Sequence, residues 1–507
     1  MRKIFQIPTQ IKTWMLRFPI MQKIFRLCAR IKIRILRFLD QFSAIDMTTG
    51  RPWHKLLLFA LPLLVGNVFQ QLYSTMDAIF LGRFVGDHAL AAVGSTIAIF
   101  FLIMVLMMGI SMGAGVMVAQ YFGAKRREDL SYTIGNCITL TAILGGFLMV
   151  VGPFLTRPLL VFLDTPPEII DYSVTYINVL MLGVLGMSYF NMLSGILRGV
   201  GDALSPLLYL VFSSLLSIGL NYLFVGVIGW GVMGAAVSTV MAQTLSALLC
   251  LRKLMQMRNL FEIKLSFLRP KRQYVNQVMK LGLPTGLSQA VFSIAMMVIQ
   301  PLANSFGYLF LATNIIVMKV DGFVMMPNFS FGNAMTVYAG QNMGAGKVDR
   351  VSKGTKQCVY LALGTAVVMV GVILSFGHNI AGLFTQTEEV LYTAVRFLRI
   401  LAVGYLAFSI NMVLWGTIRG AGDAITPMYA SLLNTALVRV PLAYLLVYLM
   451  GRPEALIYSL LISWVSISGM SVIAYKIGRW KTKGLVKDNI VQGDGGENDD
   501  NEEYIDE

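Results

Sequence analysis

The nonapeptide Arg198-Gly199-Val200-Gly201-Asp202-Ala203-Leu204-Ser205-Pro206 returns as Arg419-Gly420-Ala421-Gly422-Asp423-Ala424-Ile425-Thr426-Pro427, 221 residues later. Six of the nine positions are identical, and the other three exchange like for like. The same offset carries Gln120-Tyr121-Phe122-Gly123-Ala124 onto Gln341-Asn342-Met343-Gly344-Ala345, and Gly86 onto Gly307. One offset held across several landmarks marks a duplicated unit.

The duplicated chain is apolar. Of 507 residues 56% are hydrophobic and only 13% charged, about half the charge of an ordinary globular chain. Apolar stretches of about 18 or more residues read as spanning helices, because only a helix closes its own backbone hydrogen bonds in hydrocarbon. About twelve can be marked, near 56–81, 93–119, 133–155, 169–195, 207–228, 231–252, 280–303, 311–338, 357–377, 391–416, 428–449 and 455–477. The expected fold is therefore an all-α membrane protein with two lobes of six helices, 55–252 and 280–477, joined by a basic linker at 253–279. An extension, 1–54, precedes them and a tail, 478–507, follows. Six spans per lobe insert both lobes in the same orientation, so the pseudo-twofold axis runs along the membrane normal. Paired membrane halves with the substrate site between them are the plan of secondary transporters.

Net charge of +15 could suggest nucleic acid, but the distribution of charge points to a membrane. With a cytoplasmic N-terminus, the inward segments hold 34 of the 41 Lys and Arg, while the outward loops hold three, Arg83, Arg157 and Arg452. That is the positive-inside pattern, and it assigns both termini to the cytoplasm of a multi-pass protein in the cell (plasma or inner) membrane. Residues 20–39 read as a basic amphipathic helix, with Lys23, Arg26, Arg30, Arg34 and Arg37 on one side and apolar residues on the other. Such a helix lies at the interface and attracts anionic lipid; the competing reading starts the working protein near Met47. Residues 488–507 contain nine acids and no Lys or Arg, the composition of a solvated tail. The four cysteines (Cys28, Cys137, Cys250, Cys358) have no C-x-x-C spacing, so no metal set or disulfide framework is expected.

Two motifs tempt and fail. The G-x-G-D at 199–202 and 420–423 matches one half of an intramembrane aspartyl protease site, but the Tyr-Asp pair such chemistry needs does not occur in the chain. Gly344-Ala345-Gly346-Lys347 lacks the earlier glycine and the following Ser or Thr of a phosphate loop. No cofactor is expected, and energy must come from an ion or substrate gradient. The glycines of Gly109-Ile110-Ser111-Met112-Gly113-Ala114-Gly115 read as close helix packing.

The polar residues inside the spans carry the functional signal. Asn67, Gln70, Ser74 and Asp77 follow steps of 3, 4 and 3 and share one face of the first helix. Asp77 lies 22 residues after Lys55, about 33 Å along the axis, in the outer part of the membrane. A carboxylate there costs several kcal/mol unless paired, solvated or protonated, so it marks function. Pro62 is placed to kink this helix near its inner end. In the second half Lys319 and Asp321 lie in the eighth span and Arg439 in the eleventh, where it could pair with Asp321. These three, with Asn67, Gln70 and Ser74 of the first-helix stripe, are the substrate-cavity candidates. Arg198, Asp202, Arg419 and Asp423, at duplicated loop positions, read as braces of helix ends.

With these residues in hand, the chain resembles the multidrug and toxic compound extrusion (MATE) family of the MOP flippase superfamily. The match is carried by Leu61-Pro62, Met76-Asp77-Ala78-Ile79-Phe80-Leu81-Gly82, the two Q-x-x-G-A pairs, the two R-G-x-G-D-A-x-x-P signatures and Arg439-Val440-Pro441, over about residues 50–480. The resemblance implies two lobes that alternate between inward- and outward-open states and export amphiphilic, mostly cationic compounds against H⁺ or Na⁺. It makes Asp77 the coupling carboxylate. Sodium-binding members add an Asn and an Asp on the fifth helix and a Thr on the sixth; the matching positions here are Ser217, Asn221 and Thr239. An amide thus stands where a second carboxylate would be. A lone desolvated carboxylate favours its protonated form, so H⁺ is the preferred coupling ion and Na⁺ at Asp77 the second choice. The resemblance implies no enzyme and no nucleic-acid partner, and a monomer is expected.

Two other functions compete. A flippase of lipid-linked saccharides would need a cationic cavity, for which Lys319, Arg439, Arg396 and Arg399 are the available residues. A membrane receptor or enzyme would need a further folded domain, which neither tail's composition provides. Reporter fusions within 253–279 should be cytoplasmic; an external reporter would overturn the two-lobe topology.

Overall fold

The computed structural model describes residues 45–486 apart from 163, 164, 263 and 386. The amphipathic helix expected at 20–39 and the acidic tail from 488 lie outside the described residues. The first lobe runs through α1 (Pro52–Phe84), α2 (Asp87–Gly123), α3 (Arg127–Phe162), α4 (Pro167–Leu182), α5 (Val184–Gly199), α6 (Leu204–Asn221) with a π-helical extension Tyr222–Val227, and α7 (Gly231–Gln256). After the short α8 (Leu265–Leu268), the second lobe runs through α9 (Arg272–Ser305), α10 (Gly307–Gly344), α11 (Val348–Gly382) and α12 (Glu388–Gly420). It ends with α13 (Ile425–Leu433), a π-helical stretch Asn434–Arg439 that leads into α14 (Val440–Met450), and α15 (Glu454–Ile477). Among the described residues eleven stretches are long and apolar enough to cross a membrane, or twelve with α4 and α5 taken as one bent span. The chain is a multi-pass membrane protein with the expected number of spans.

The expected fourth span, 169–195, is bent by 52° between α4 and α5. The break falls at Gly183, which presses on the side chain of Val240 in α7, while Gly186 presses on Thr244 one turn along. A Cβ at either glycine would occupy the space of that side chain, so the bend follows from close packing on α7. In the eleventh span the π-helical turns stand just ahead of Pro441, which has no N–H to donate; a widened turn there rearranges the hydrogen bonding around it. Pro62, by contrast, is accommodated inside α1 without a break.

The lobes meet by exchange of helices. On one side α2 crosses α9: a Cβ on Gly109 would lie 2.6 Å from the Gly282 carbonyl oxygen, and one on Gly113 2.8 Å from the Gly282 Cα. On the other side the start of α1 packs into the second lobe, where Leu56, Phe59 and Ala60 share a buried cluster with Phe331, Ala334, Met335 and Tyr338. The second lobe has a further core of its own around Phe397, Leu398 and Tyr405, and the first-lobe cluster around Ile134, Leu193 and Ile196 extends onto Tyr274, Val278 and Leu281 of α9.

The connector is shorter than the basic stretch 253–279 suggests, because α7 continues to Gln256 and α9 already begins at Arg272. It is also docked on α3. Asn136 accepts a hydrogen bond from Lys271 N at 2.6 Å and donates to the Phe267 carbonyl at 3.3 Å. Thr139 donates to the Leu268 carbonyl at 2.6 Å, and the Lys271 ammonium lies 3.3 Å from the Tyr132 ring centre. Tyr274, two residues into α9, donates to Asp129 at 2.6 Å.

The backbone contact between α2 and α9 gives a direct test. Gly113→Val should destabilise the purified protein by about 1–3 kcal/mol or more, since neither backbone can yield without moving a whole helix. Gly146→Val, where a Cβ meets nothing within 4 Å, should leave the thermal transition in place.

Candidate functional site

The polar stripe of α1 marks where the lobes part. Asn67 Nδ2 donates to Ser330 Oγ on α10 at 3.2 Å, a bond between the lobes. From this level toward the linker end α10 is almost wholly buried from Ser330 to Gly344; one turn the other way on α1, Gln70 is exposed. The side chains of Ser74 and Asp77 lie outside the described residues, though both positions fall within α1.

The helices that carry the remaining coupling candidates do converge. Ser217 and Asn221 on α6 are fully buried, and Thr239 on α7 is 8% exposed. The register of α1 against α6 is set at two levels. Gly66 faces Leu207 and Leu210, and Leu81 shares a buried cluster with Val225. Between those levels, residue 77 stands abreast of residue 221. Helix periodicity yields the α1 stripe but not this register, which depends on packing.

The second lobe is built differently. The Tyr405 hydroxyl of α12 donates to Asp321 Oδ1 on α10, and Tyr405 is fully buried against Trp464. Arg439 does not pair with Asp321, as the sequence suggested. Its guanidinium carbon stands 4.7 Å from the centre of the Phe292 ring and its Nη2 3.0 Å from Met296 Sδ, both on α9. The chain thus gives the carboxylate a neutral donor and the cation an aromatic face, so neither needs the other. Lys319, two residues before Asp321, is exposed. Arg396, near the start of α12, pairs with Glu454 of α15 at 2.9 Å. Sequence reasoning missed Tyr405: its only signal was a phenol in an apolar span.

The signature loops hold helix starts. Asp202 accepts hydrogen bonds from Ser205 N at 2.9 Å and Ser205 Oγ at 2.7 Å; Asp423 accepts from Thr426 N at 3.0 Å and Thr426 Oγ1 at 2.7 Å. Each carboxylate satisfies otherwise orphaned donors at the start of the following helix. Asp202 is fully buried and has Lys253 Nζ at 3.5 Å. Arg198 and Arg419 occupy the last turns of α5 and α12. Arg419 borders a water-sized cavity between the lobes with Met112, Val116, Leu281 and Thr336. Among the described residues its Nε has no hydrogen-bond partner, and no group of three or more His, Cys, Asp or Glu could hold a metal. The arrangement is that of a two-lobed membrane protein with buried polar groups at helix contacts.

Comparison with known proteins agrees. The MatE family model matches residues 62–223 and 284–445, one segment in each lobe. The chain is 29% identical over 426 residues to the probable multidrug resistance protein YoeA of Bacillus subtilis, covering 81% of this chain and 92% of that one. It is 28% identical over 447 residues to the probable multidrug resistance protein YpnP of the same organism, covering 87% and 99%. Its fold is similar to a solved outward-facing conformation of a multidrug resistance MATE family transporter of the MOP superfamily, with TM-score 0.81, 24% identity and coverage of 87% and 99%.

Removing the cap at Asp202 separates bracing from substrate contact. Asp202→Ala should lower stability by about 1–2 kcal/mol, the usual cost of a lost helix cap, with the relative transport of different substrates unchanged. Thermal unfolding and a substrate panel check the two halves of that expectation.

Proposed function

The chain belongs to the MatE family, the multidrug and toxic compound extrusion transporters, which are not enzymes, and from that premise we propose that it is a proton-coupled exporter of amphiphilic, mostly cationic compounds. The multidrug resistance names of its relatives support the substrate class. In this reading the protein works as a monomer in the cell membrane, with both termini in the cytoplasm and its lobes exposing one shared cavity to each side in turn.

The observation that carries the choice of ion is Asn221. The position abreast of residue 77 holds a buried amide, where a sodium-binding site of this family would supply a second negative charge. A hard cation leaving water needs oxygen ligands and compensating charge. One carboxylate beside an amide answers that need poorly, whereas a proton needs a single carboxylate. Ser217 and Thr239 then serve as hydrogen-bonding neighbours on α6 and α7. Proton binding at Asp77 from outside weakens the site for a cationic substrate, and release to the inside restores it. The ion moves the equilibrium only through its different affinity for the two states.

The flippase reading is less well supported. It would need a set of cations free to meet a pyrophosphate, but of its four candidates Arg439 is held by Phe292 and Met296 and Arg396 by Glu454, which leaves Lys319 and Arg399.

Export from proteoliposomes under an imposed pH gradient tests the proposal. Asp77→Asn should insert and fold but lose pH-driven export. Undiminished export by that variant would transfer the role to another group, Asp321 first. Wild-type export that follows a sodium gradient at fixed pH would reverse the choice of ion.

A further inference from the structure

The two repeated signatures touch each other across the lobes. Gln120, the first residue of the Q-x-x-G-A stretch on α2, donates through Nε2 to the carbonyl of Gly420 at 2.9 Å. Its counterpart Gln341 on α10 donates to the carbonyl of Gly199 at 3.0 Å. Both glutamines are fully buried, and both acceptors are the first glycine of an R-G-x-G-D signature. One lobe's glutamine thus docks on the other lobe's signature loop, twice, in pseudo-twofold relation.

The remaining atom of each amide is also used. Gln341 Oε1 accepts from Met47 N at 2.9 Å, and Gln120 Oε1 from Leu485 N at 2.7 Å. These donors lie in two short segments outside the repeat, one ahead of α1 and one behind α15. Each segment rests on the second glycine of a signature. Ile45 N donates to the Gly201 carbonyl at 2.9 Å, and the Lys483 carbonyl lies 2.6 Å from where a Cβ on Gly422 would be. Gly201 and Gly422 have φ of 92° and 104°, so these positions require glycine for both conformation and space.

The leading segment is fastened to the second lobe although its chain continues into the first. Asn342 Nδ2 donates to the Met47 carbonyl at 3.1 Å, Lys347 Nζ to that of Thr48 at 3.1 Å, and Arg350 Nη2 to those of Thr49 and Gly50 at 2.8 and 2.7 Å. Asp46 closes the turn by accepting from Thr48 N and Oγ1 at 2.8 and 2.7 Å. Met47 is completely buried. Where α2 and α10 end, Gly123 and Gly344 let the chains cross: a Cβ on Gly123 would fall on the Gln341 carbonyl, and one on Gly344 on the Gln120 carbonyl.

We infer that the Q-x-x-G-A and R-G-x-G-D stretches are the two halves of a reciprocal latch that holds the lobes shut at the end carrying the linker, with residues 45–50 and 483–486 as its straps. The inference takes from the preceding section only that the lobes separate at this end during transport. For separation, Gln120 must leave Gly420 and Gln341 must leave Gly199. The leading strap then travels with the second lobe, since its carbonyls at 47 to 50 are held there while a single backbone bond ties it to Gly201.

Paired spin labels read the latch directly. Glu128→Cys and Asp349→Cys are exposed, lie at corresponding positions of the two lobes and flank the latch; they are introduced into the full chain with Cys28→Ser. Adding Gln120→Ala with Gln341→Ala should lengthen the label distance and raise the ratio of open to closed states by at least about fivefold, the value of one buried hydrogen bond. Gly123→Ala should do the same by wedging the crossing, with no hydrogen-bonding side chain removed. Gly364→Ala, whose Cβ meets nothing within 4 Å, should leave the distances as in the parent. Distances in the glutamine variant that superimpose on the parent would overturn the latch, whether or not Gly123→Ala folds. The measurement needs no gradient and can be repeated with Asp77→Asn, so a failure of proton coupling and a failure of the latch are distinguishable.

Discussion

Two helix backbones in van der Waals contact, α2 and α9 at Gly109, Gly113, Gly282 and Gly286, set the geometry on which the rest of the protein depends. In lipid there is no apolar driving force between helices, so close approach of small residues supplies the attraction. Four glycines at this crossing bring the lobes to a fixed distance. The other crossing, α1 on α10, runs from Leu56 and Tyr338 to the level where Asn67 meets Ser330. From that level toward the linker end the lobes pack closely, as the burial of α10 from Ser330 to Gly344 records, around a water-sized cavity beside Arg419.

Upon this shared frame the lobes carry different chemistry. The first keeps its polar side chains on α1, α6 and α7, with buried Ser217, Asn221 and Thr239. The second has a carboxylate held by a phenol and a guanidinium laid over a ring. Each π-helical stretch also stands at its own depth, following Asn221 in the first lobe and beginning at Asn434 in the second. Duplication therefore preserved the glutamine–signature contacts that join the lobes, while the helix crossings and the polar groups within the lobes diverged.

Much of this was legible in the chain. The 221-residue offset gave the lobes, apolar stretches gave the spans, and the spacing of Asn67, Gln70 and Ser74 gave the stripe, because helix periodicity and lipid immersion are local properties. The 52° bend at Gly183 was not legible, since it depends on Val240 and Thr244 in a helix more than fifty residues away. Nor was the Tyr405–Asp321 bond, because nothing in one dimension distinguishes a phenol that meets a carboxylate from one that meets lipid. The basic stretch 253–279 read as a free linker because its charges suggest solvent; Asn136 and Thr139, which hold it, are indistinguishable in sequence from any polar residue in a span. The signatures could be seen as repeats, but that each repeat's partner is the other signature in the opposite lobe is a fact of three dimensions.

The glutamine contacts differ in kind from the glycine crossing, and the difference bears on how water behaves. An amide that leaves a carbonyl can bond to water instead, one bond exchanged for another, so the net cost of opening is only about 1 kcal/mol for each. The Gly420 and Gly199 carbonyls, freed in the same motion, are hydrated in turn. A helix crossing in the middle of the membrane has no such substitute, because neither water nor a lipid tail restores the contacts it loses. In the inferred latch the replaceable glutamine bonds stand at the end carrying the linker, while the glycine crossing of α2 and α9 lies in the interior. In that latch, solvent entering at the linker end would act as a reactant in the movement, and the crossing of α2 and α9 would be the fulcrum.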